Sequence, residues 1–256
     1  MKLAAQESIV PGESVAEQLR NLENCGYEAV ELVHRFTIHR PEETRSALAD
    51  SPIEALSMCT SLEHDLGDVG TDLAARISFF KETIDFAGQF GVKRIVSVPV
   101  RGPLAEGVTE QEEIDRYCDA LRAVGEHAES QGMVVVIEPL IRYETHLVNR
   151  LEQAVKIAES VGSSGVGIMA DFFHMNVEEA DIAQSITAAG SWIKHVHLAD
   201  SNRLNPGRGH TDFEPGMRAL KSIGFDGAMA LECRLADGPP VAELRLSSDH
   251  LRSYLH

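Results

Sequence analysis

No apolar run among these 256 residues approaches the roughly 18 needed to span a bilayer. The opening MKLAAQESIV carries one lysine and is broken at Gln6 and Glu7, so no signal peptide is expected and a cytoplasmic location is. Basic residues are scarce: 23 Lys and Arg stand against 40 Asp and Glu, a net charge of −17. Nucleic acid is therefore disfavoured as a partner, because binding its phosphates rewards clustered cations. The four cysteines, Cys25, Cys59, Cys118 and Cys233, follow no zinc or redox spacing and are expected to be reduced. There is no Gly-x-Gly-x-x-Gly turn, and no Gly/Ser-rich or Pro-rich linker that would divide the chain.

What is present is alternation. Apolar β-type runs at 2–6, 27–33, 53–60, 93–98, 133–138, 165–171, 192–199 and 227–232 are separated by helical patterns at 14–25, 41–49, 72–90, 109–130, 150–161, 177–189, 212–223 and 239–254. In 72–90, for example, Leu73, Ile77, Phe80, Ile84 and Ala87 recur at steps of four and three, and Gly91 follows as a helix stop. Eight β/α units in a chain near 250 residues predict one (β/α)8 TIM barrel over 1–256. A doubly wound open sheet is the competitor, and the missing glycine-rich turn argues against it.

The ends of the last four strands carry the chemistry. VVVIEP runs four apolar residues straight into Glu138, and the next three strands end on or near Asp171, His197 and Glu232. In a parallel barrel all strand C-termini open on one face, where active sites sit. Alternation puts His195 on the same face as His197, one layer deeper, and small residues such as Ala230, Ala228 and Gly167 below the others leave room. Each of the four has an ordinary role when taken alone: a strand-end aspartate commonly caps the next helix, and a histidine in HVH is commonly a hydrogen-bonded core residue. Together, three carboxylates and an imidazole would repel and desolvate one another without a cation. Oxygen-rich ligation with one nitrogen suits Mn²⁺, Mg²⁺ or Co²⁺.

The segments IEPLIRYET, MADFFHMN, HVHLADSNRLNPGRGHTDF and ALECR resemble the xylose-isomerase-like sugar isomerase/epimerase superfamily, most closely ketose 3-epimerases of the D-tagatose/D-allulose type. The resemblance is dense from 134 to 234. It implies Glu138, Asp171, His197 and Glu232 as ligands of a divalent ion, Mn²⁺ first. It also implies Glu144, His174 and Arg203 as contacts to substrate oxygens, and a homo-oligomer. Removing a proton α to a carbonyl and returning it on the other face requires two bases, and Glu138 with Glu232 is the natural pair.

Around this set lie weaker candidates. His210 is placed to orient a ligand, and Asp212 to cap the following helix. Glu31 and His34, after the second strand, face the mouth in principle, whereas His64 and Asp65 read as loop. Arg101 or Arg142 would suit a phosphorylated substrate if either faced the mouth. The early loops lack the aromatics that usually cover the sugar tail in ketose epimerases, and the one tryptophan, Trp192, opens a strand. An aldose–ketose isomerase or a keto-sugar/inosose lyase would use the same scaffold. An endonuclease IV-like enzyme would need more His and Asp ligands and a basic face, and a binding protein without metal would have no use for the four ligands.

Overall fold

The computed structural model describes residues 1–61 and 65–255. The strands are β1 Lys2–Gln6, β2 Ala29–Val33, β3 Glu54–Cys59, β4 Arg94–Ser97, β5 Val134–Ile137, β6 Val166–Asp171, β7 Ile193–Leu198 and β8 Ala228–Leu231. Each pairs in parallel with its sequence neighbours, and β8 pairs with β1, closing a barrel. Around it run α1 Val15–Asn24, α2 His34–Thr37, α3 Pro41–Ala49, α4 Leu73–Gly88, α5 Glu110–Ser130, α6 Leu151–Val161, α7 Phe172–Glu178, α8 Ile182–Ala189, α9 Glu214–Ser222 and α10 Pro240–Arg252.

The strands read as continuous apolar runs because both faces are covered. Outward residues such as Leu3, Leu32, Ile95, Ile137, Ile168 and Leu231 form one buried core with the helices. The inward rows are different. Ala4, Ala29, Ala228 and Ala230 line one side of the interior, and Val33, Cys59, Val96, Val136 and Met169 form a second inner cluster. Following these rows towards the strand ends leads from Val136 to Glu138, from Met169 to Asp171, from Ala230 to Glu232, from Ala29 to Glu31 and from Ala4 to Gln6. Glu138 and Glu232 lie one residue beyond their strands, yet their backbone N–H groups still bond across the ladder, to Ser97 O at 3.0 Å and Leu198 O at 3.3 Å.

Helix starts follow local chemistry. Ser14 accepts from Glu17 N, Asp72 from Ala74 N and Ala75 N, and Thr109 with Glu112 makes a capping box. One expected element differs. In place of a single helix over 177–189 there are two, because Asp171 caps a short helix directly after β6 and Asp181 caps the next. Glu179 between them is extended and accepts from Leu151 N and Ser185 Oγ.

Helix α5 meets the turn before β6 with backbone almost touching backbone. A methyl on Gly165 would overlap the carbonyl oxygen of Gly125. Gly165→Ala should therefore cost about 1–3 kcal/mol, as overpacking does, and lower the melting temperature by about 2–4 °C per kcal/mol. An unchanged melting curve would show that α5 can shift freely.

Candidate active site

Ligand atoms of Glu138, Asp171, His197 and Glu232 all lie within 4.8 Å of one another at the C-terminal mouth of the barrel. His197 is the centre. Its Nδ1 is 3.3 Å from Glu138 Oε1, 3.3 Å from Glu232 Oε2 and 3.8 Å from Asp171 Oδ2. Register explains the meeting: His197 pairs with Asp171 on β6 and with Ala230, two residues before Glu232, on β8. Glu138, Asp171 and His197 are buried, and Glu232 is partly exposed. Glu138 Oε1 and His197 Nδ1 make no hydrogen bond of acceptable geometry. Buried polar atoms are rarely left so, and these two face a common point. Three carboxylate oxygens and one imidazole nitrogen form a donor set that a divalent cation fits.

Asp171 uses its two oxygens separately. Oδ1 caps α7, accepting from Phe173 N at 2.7 Å and His174 N at 3.1 Å, while Oδ2 faces the cluster. The helix-cap role and the place in the cluster are thus both real. Arg203 Nη1 donates to the same Oδ2 at 2.8 Å, and Nη2 donates to Glu232 Oε2. Its guanidinium lies 4.7 Å from the centroid of the Phe173 ring.

Buried charge sets the electrostatics. Burial alone would lower the His197 imidazole, but Glu31 and Glu232 outweigh it and hold it well above its ordinary value. Burial alone would raise the carboxyls of Asp171 and Glu232; Arg203, His174 and His197 reverse this for Asp171, and His197 and Arg203 for Glu232. Without a cation, the mouth therefore draws a proton onto His197.

His174 is buried, and its Nδ1 accepts from Ile141 N at 3.2 Å. A neutral ring then carries its hydrogen on Nε2, which points between Glu138 Oε1 at 4.0 Å and Asp171 Oδ2 at 3.8 Å. Glu144 is exposed on the turn after β5, where its carbonyl accepts from Gly102 N. His210 and Asp212 lie outside the cluster: both are exposed, and Asp212 Oδ1 accepts from Glu214 N at the start of α9. His34 is buried with its ring edge-on to Phe79 and Phe86 of α4. His64 lies outside the described residues. Asp65 is buried and binds Arg101 at 2.6 Å. Arg142 is held at the surface by Glu178.

Glu31 is the residue whose importance the sequence left undecided. It is fully buried inside the barrel, with Oε2 2.7 Å from His195 Nε2 and Oε1 2.9 Å from His197 Nε2. The available signal was parity: Glu31 follows Ala29 on the inward row of β2. Beside the cluster opens a cavity of about 330 Å³ lined by Gln6, Arg35, Cys59, Arg101, Glu138 and Glu232 among others. No aromatic residue lines it among the described residues.

The loop after β7 is built to hold Arg203. Asp200 is buried and accepts from Ser201 N, Gly207 N, Arg208 N and Thr211 N at 2.8–3.1 Å. Arg203 has φ of 62°, a left-handed backbone uncommon for a residue with a side chain. Its N donates to Asp200 O and its O accepts from Arg234 N, which fixes that conformation. Burial would raise the Asp200 carboxyl, but the backbone amides, Thr211 first, hold it below the ordinary aspartate range.

A family model described as the xylose isomerase-like TIM barrel matches residues 19–254. Among curated proteins, 3-dehydro-D-guloside 4-epimerase of Escherichia coli is 26% identical over 99% of this chain and 100% of its own length. D-psicose 3-epimerase of Enterocloster bolteae is 37% identical over 50% of this chain, and the match spans 43% of that protein. The crystal structure of 3-keto-D-glucoside 4-epimerase from E. coli superposes with a TM-score of 0.92 and 26% identity, covering 99% of both chains.

Asp200→Asn should loosen the loop. Hydrogen bonds to a charged group are worth about 1.5–3 kcal/mol, so loss of stability on that scale is expected at neutral pH. Because the folded carboxyl is depressed, its contribution is present above the unfolded value near pH 4 and is lost as pH falls through the folded value. The gap between the two proteins should therefore shrink in acid. A gap independent of pH would show that the carboxylate charge is not what holds the loop.

Proposed function

Starting from the chain's membership in the xylose isomerase-like TIM-barrel family, we propose that it is a metal-dependent sugar epimerase that inverts the carbon next to the ketone of a keto-sugar, C3 of a ketose in the first instance. The observation that carries this reading is the convergence of Glu138, Asp171, His197 and Glu232, with two buried donor atoms there lacking hydrogen-bond partners. These four residues would hold the ion, with Mn²⁺ the first choice and Mg²⁺ or Co²⁺ the alternatives. When bound, such an ion supplies positive charge that neutralises the carboxylates and polarises substrate oxygens beside them.

The protein's own groups handle the proton. Glu138, just after β5, and Glu232, just after β8, flank one spot, each 3.3 Å from His197 Nδ1. One carboxylate takes the proton from the carbon α to the ketone, leaving an enediolate. The other, as a carboxylic acid, returns a proton to the opposite face. The starting epimer determines which acts first. His174 Nε2–H and the N–H groups of Arg203 donate to substrate oxygens near the reacting carbon and meet the negative charge of the enediolate. Glu144, at the exposed rim, is assigned to a more distant hydroxyl.

A second reading places the inversion at C4 of a 3-keto-glycoside. One observation favours it: the E. coli 4-epimerase matches over its whole length, whereas the D-psicose 3-epimerase matches over less than half of its own. The aromatic-free cavity agrees with this departure from the ketose pattern. The proton chemistry is the same in both.

Chelation should abolish turnover, and Mn²⁺ or Co²⁺ should restore it. Stripping the ion should also lower the melting temperature, since an ion at 100 times its Kd adds about 2.7 kcal/mol to the folded state. Asp171→Asn combined with His197→Ala should remove binding. A melting temperature unmoved by complete chelation counts against the metal site.

Turnover in D₂O should place deuterium at the inverted carbon, C3 for a ketose and C4 for a 3-keto-glycoside. Glu138→Gln and Glu232→Gln should each lose about 10²–10⁴-fold in kcat. A variant with one intact base should still wash out the substrate proton from a single face, which would assign that face to the remaining glutamate. Label at C1 or C2 with an aldose product would mean an isomerase, loss of water would mean a lyase, and full activity in both variants would place the site elsewhere.

A further inference from the structure

We propose that Glu31 is a positioning residue that holds His197 in the tautomer with its hydrogen on Nε2, presenting a bare Nδ1 to Glu138, Asp171 and Glu232. The inference rests on the metal reading above. Nothing within the four-residue cluster selects that tautomer, because Nδ1 has no hydrogen-bond partner there. The selection comes from behind. A carboxylate only accepts hydrogen bonds, so each imidazole nitrogen bonded to Glu31 carries a hydrogen. Oε1 takes His197 Nε2 at 2.9 Å and Oε2 takes His195 Nε2 at 2.7 Å. The opposite tautomer of His197 would set a lone pair against Glu31 and an N–H against the ion.

Two further contacts fix Glu31 itself. Gln6 Nε2 donates to Oε1 at 3.3 Å, and the Cys59 thiol donates to the same oxygen at 3.2 Å. The His195 ring stands edge-on to His197, with centroids 5.0 Å apart and planes at 81°, which blocks rotation of the His197 ring. Gln6 also donates to Glu232 Oε1 at 3.1 Å, so the same network orients a second member of the cluster. The chain has placed a fully buried acid on β2, not among the residues that line the mouth cavity, where its contacts are two histidines, an amide and a thiol.

The test measures Mn²⁺ affinity by titration calorimetry in wild type and Glu31→Met, alongside the melting temperatures of the ion-free proteins. Loss of a partner behind a metal-bound histidine typically weakens binding about 10–100-fold, and that loss is expected here. A long-range ¹H–¹⁵N spectrum of Mg²⁺-loaded wild type reads the tautomer directly and should show His197 protonated on Nε2. A downfield shift of that Nε2–H resonance reports its hydrogen bond to Glu31 Oε1, and reads the role of Glu31 in wild type even if Glu31→Met does not fold. A His197 Nε2–H that carries no hydrogen-bond shift in the loaded protein, or a folded Met variant that binds within about twofold of wild type, where about 10–100-fold is expected, would overturn the inference while leaving the metal site standing; protonation on Nδ1 in the loaded protein would overturn both. A wild type that binds no divalent ion overturns the metal reading and this inference together.

Discussion

Negative charge buried inside a barrel must be matched by positive charge within a few ångströms, and this requirement organises the whole mouth of the molecule. Glu31, Glu138, Asp171 and Glu232 converge on one imidazole. Among the described residues, Arg203 is the arginine that reaches two of them, and it does so from a left-handed backbone position. The loop that holds it is itself tied by a further buried acid, Asp200. The alanines low on β1, β2 and β8 belong to the same requirement. Larger side chains there would fill the space that His195 and Glu31 occupy.

The barrel was legible in the sequence because its signal was repeated eight times. Apolar runs and helical patterns alternated without a linker, and errors of a residue or two at each boundary did not alter the count. The strand-end residues were legible for a related reason: parity alone puts Val136 and Glu138, or Met169 and Asp171, on the same inward row. The short helix after β6 was missed because its start depends on one hydrogen-bonding act by Asp171, which no periodicity announces. Glu31 was left undecided because a glutamate after two apolar residues looks the same whether it meets water or two histidines. Only the closed barrel, with β2 lying across from β7, separates those cases.

The resemblance and the residues reached different depths. Arg203 and His174 were named through motif spacing, and the structure brings both to the cluster. Glu144 was named in the same way, and His210 as a residue placed to orient a ligand; both lie exposed. Spacing along a motif survives where strands and a capped helix fix the backbone, and it predicts less where a side chain hangs from a turn. The cluster at the strand ends was therefore read more fully than the loops around it.

The divided use of Asp171 has a consequence for how this position can change over evolutionary time. One oxygen starts a helix and the other faces the cluster, so two unrelated selections act on a single side chain. Asparagine keeps an oxygen for the helix but gives up the charge. Glutamate keeps the charge but adds a methylene that displaces the cap. No single replacement serves both duties, and drift at this site is closed off even in a lineage whose substrate has changed. Glu144 and His210, exposed on the loops nearby, stand outside the cluster, and at such positions the sequence is freer to change around an unaltered centre.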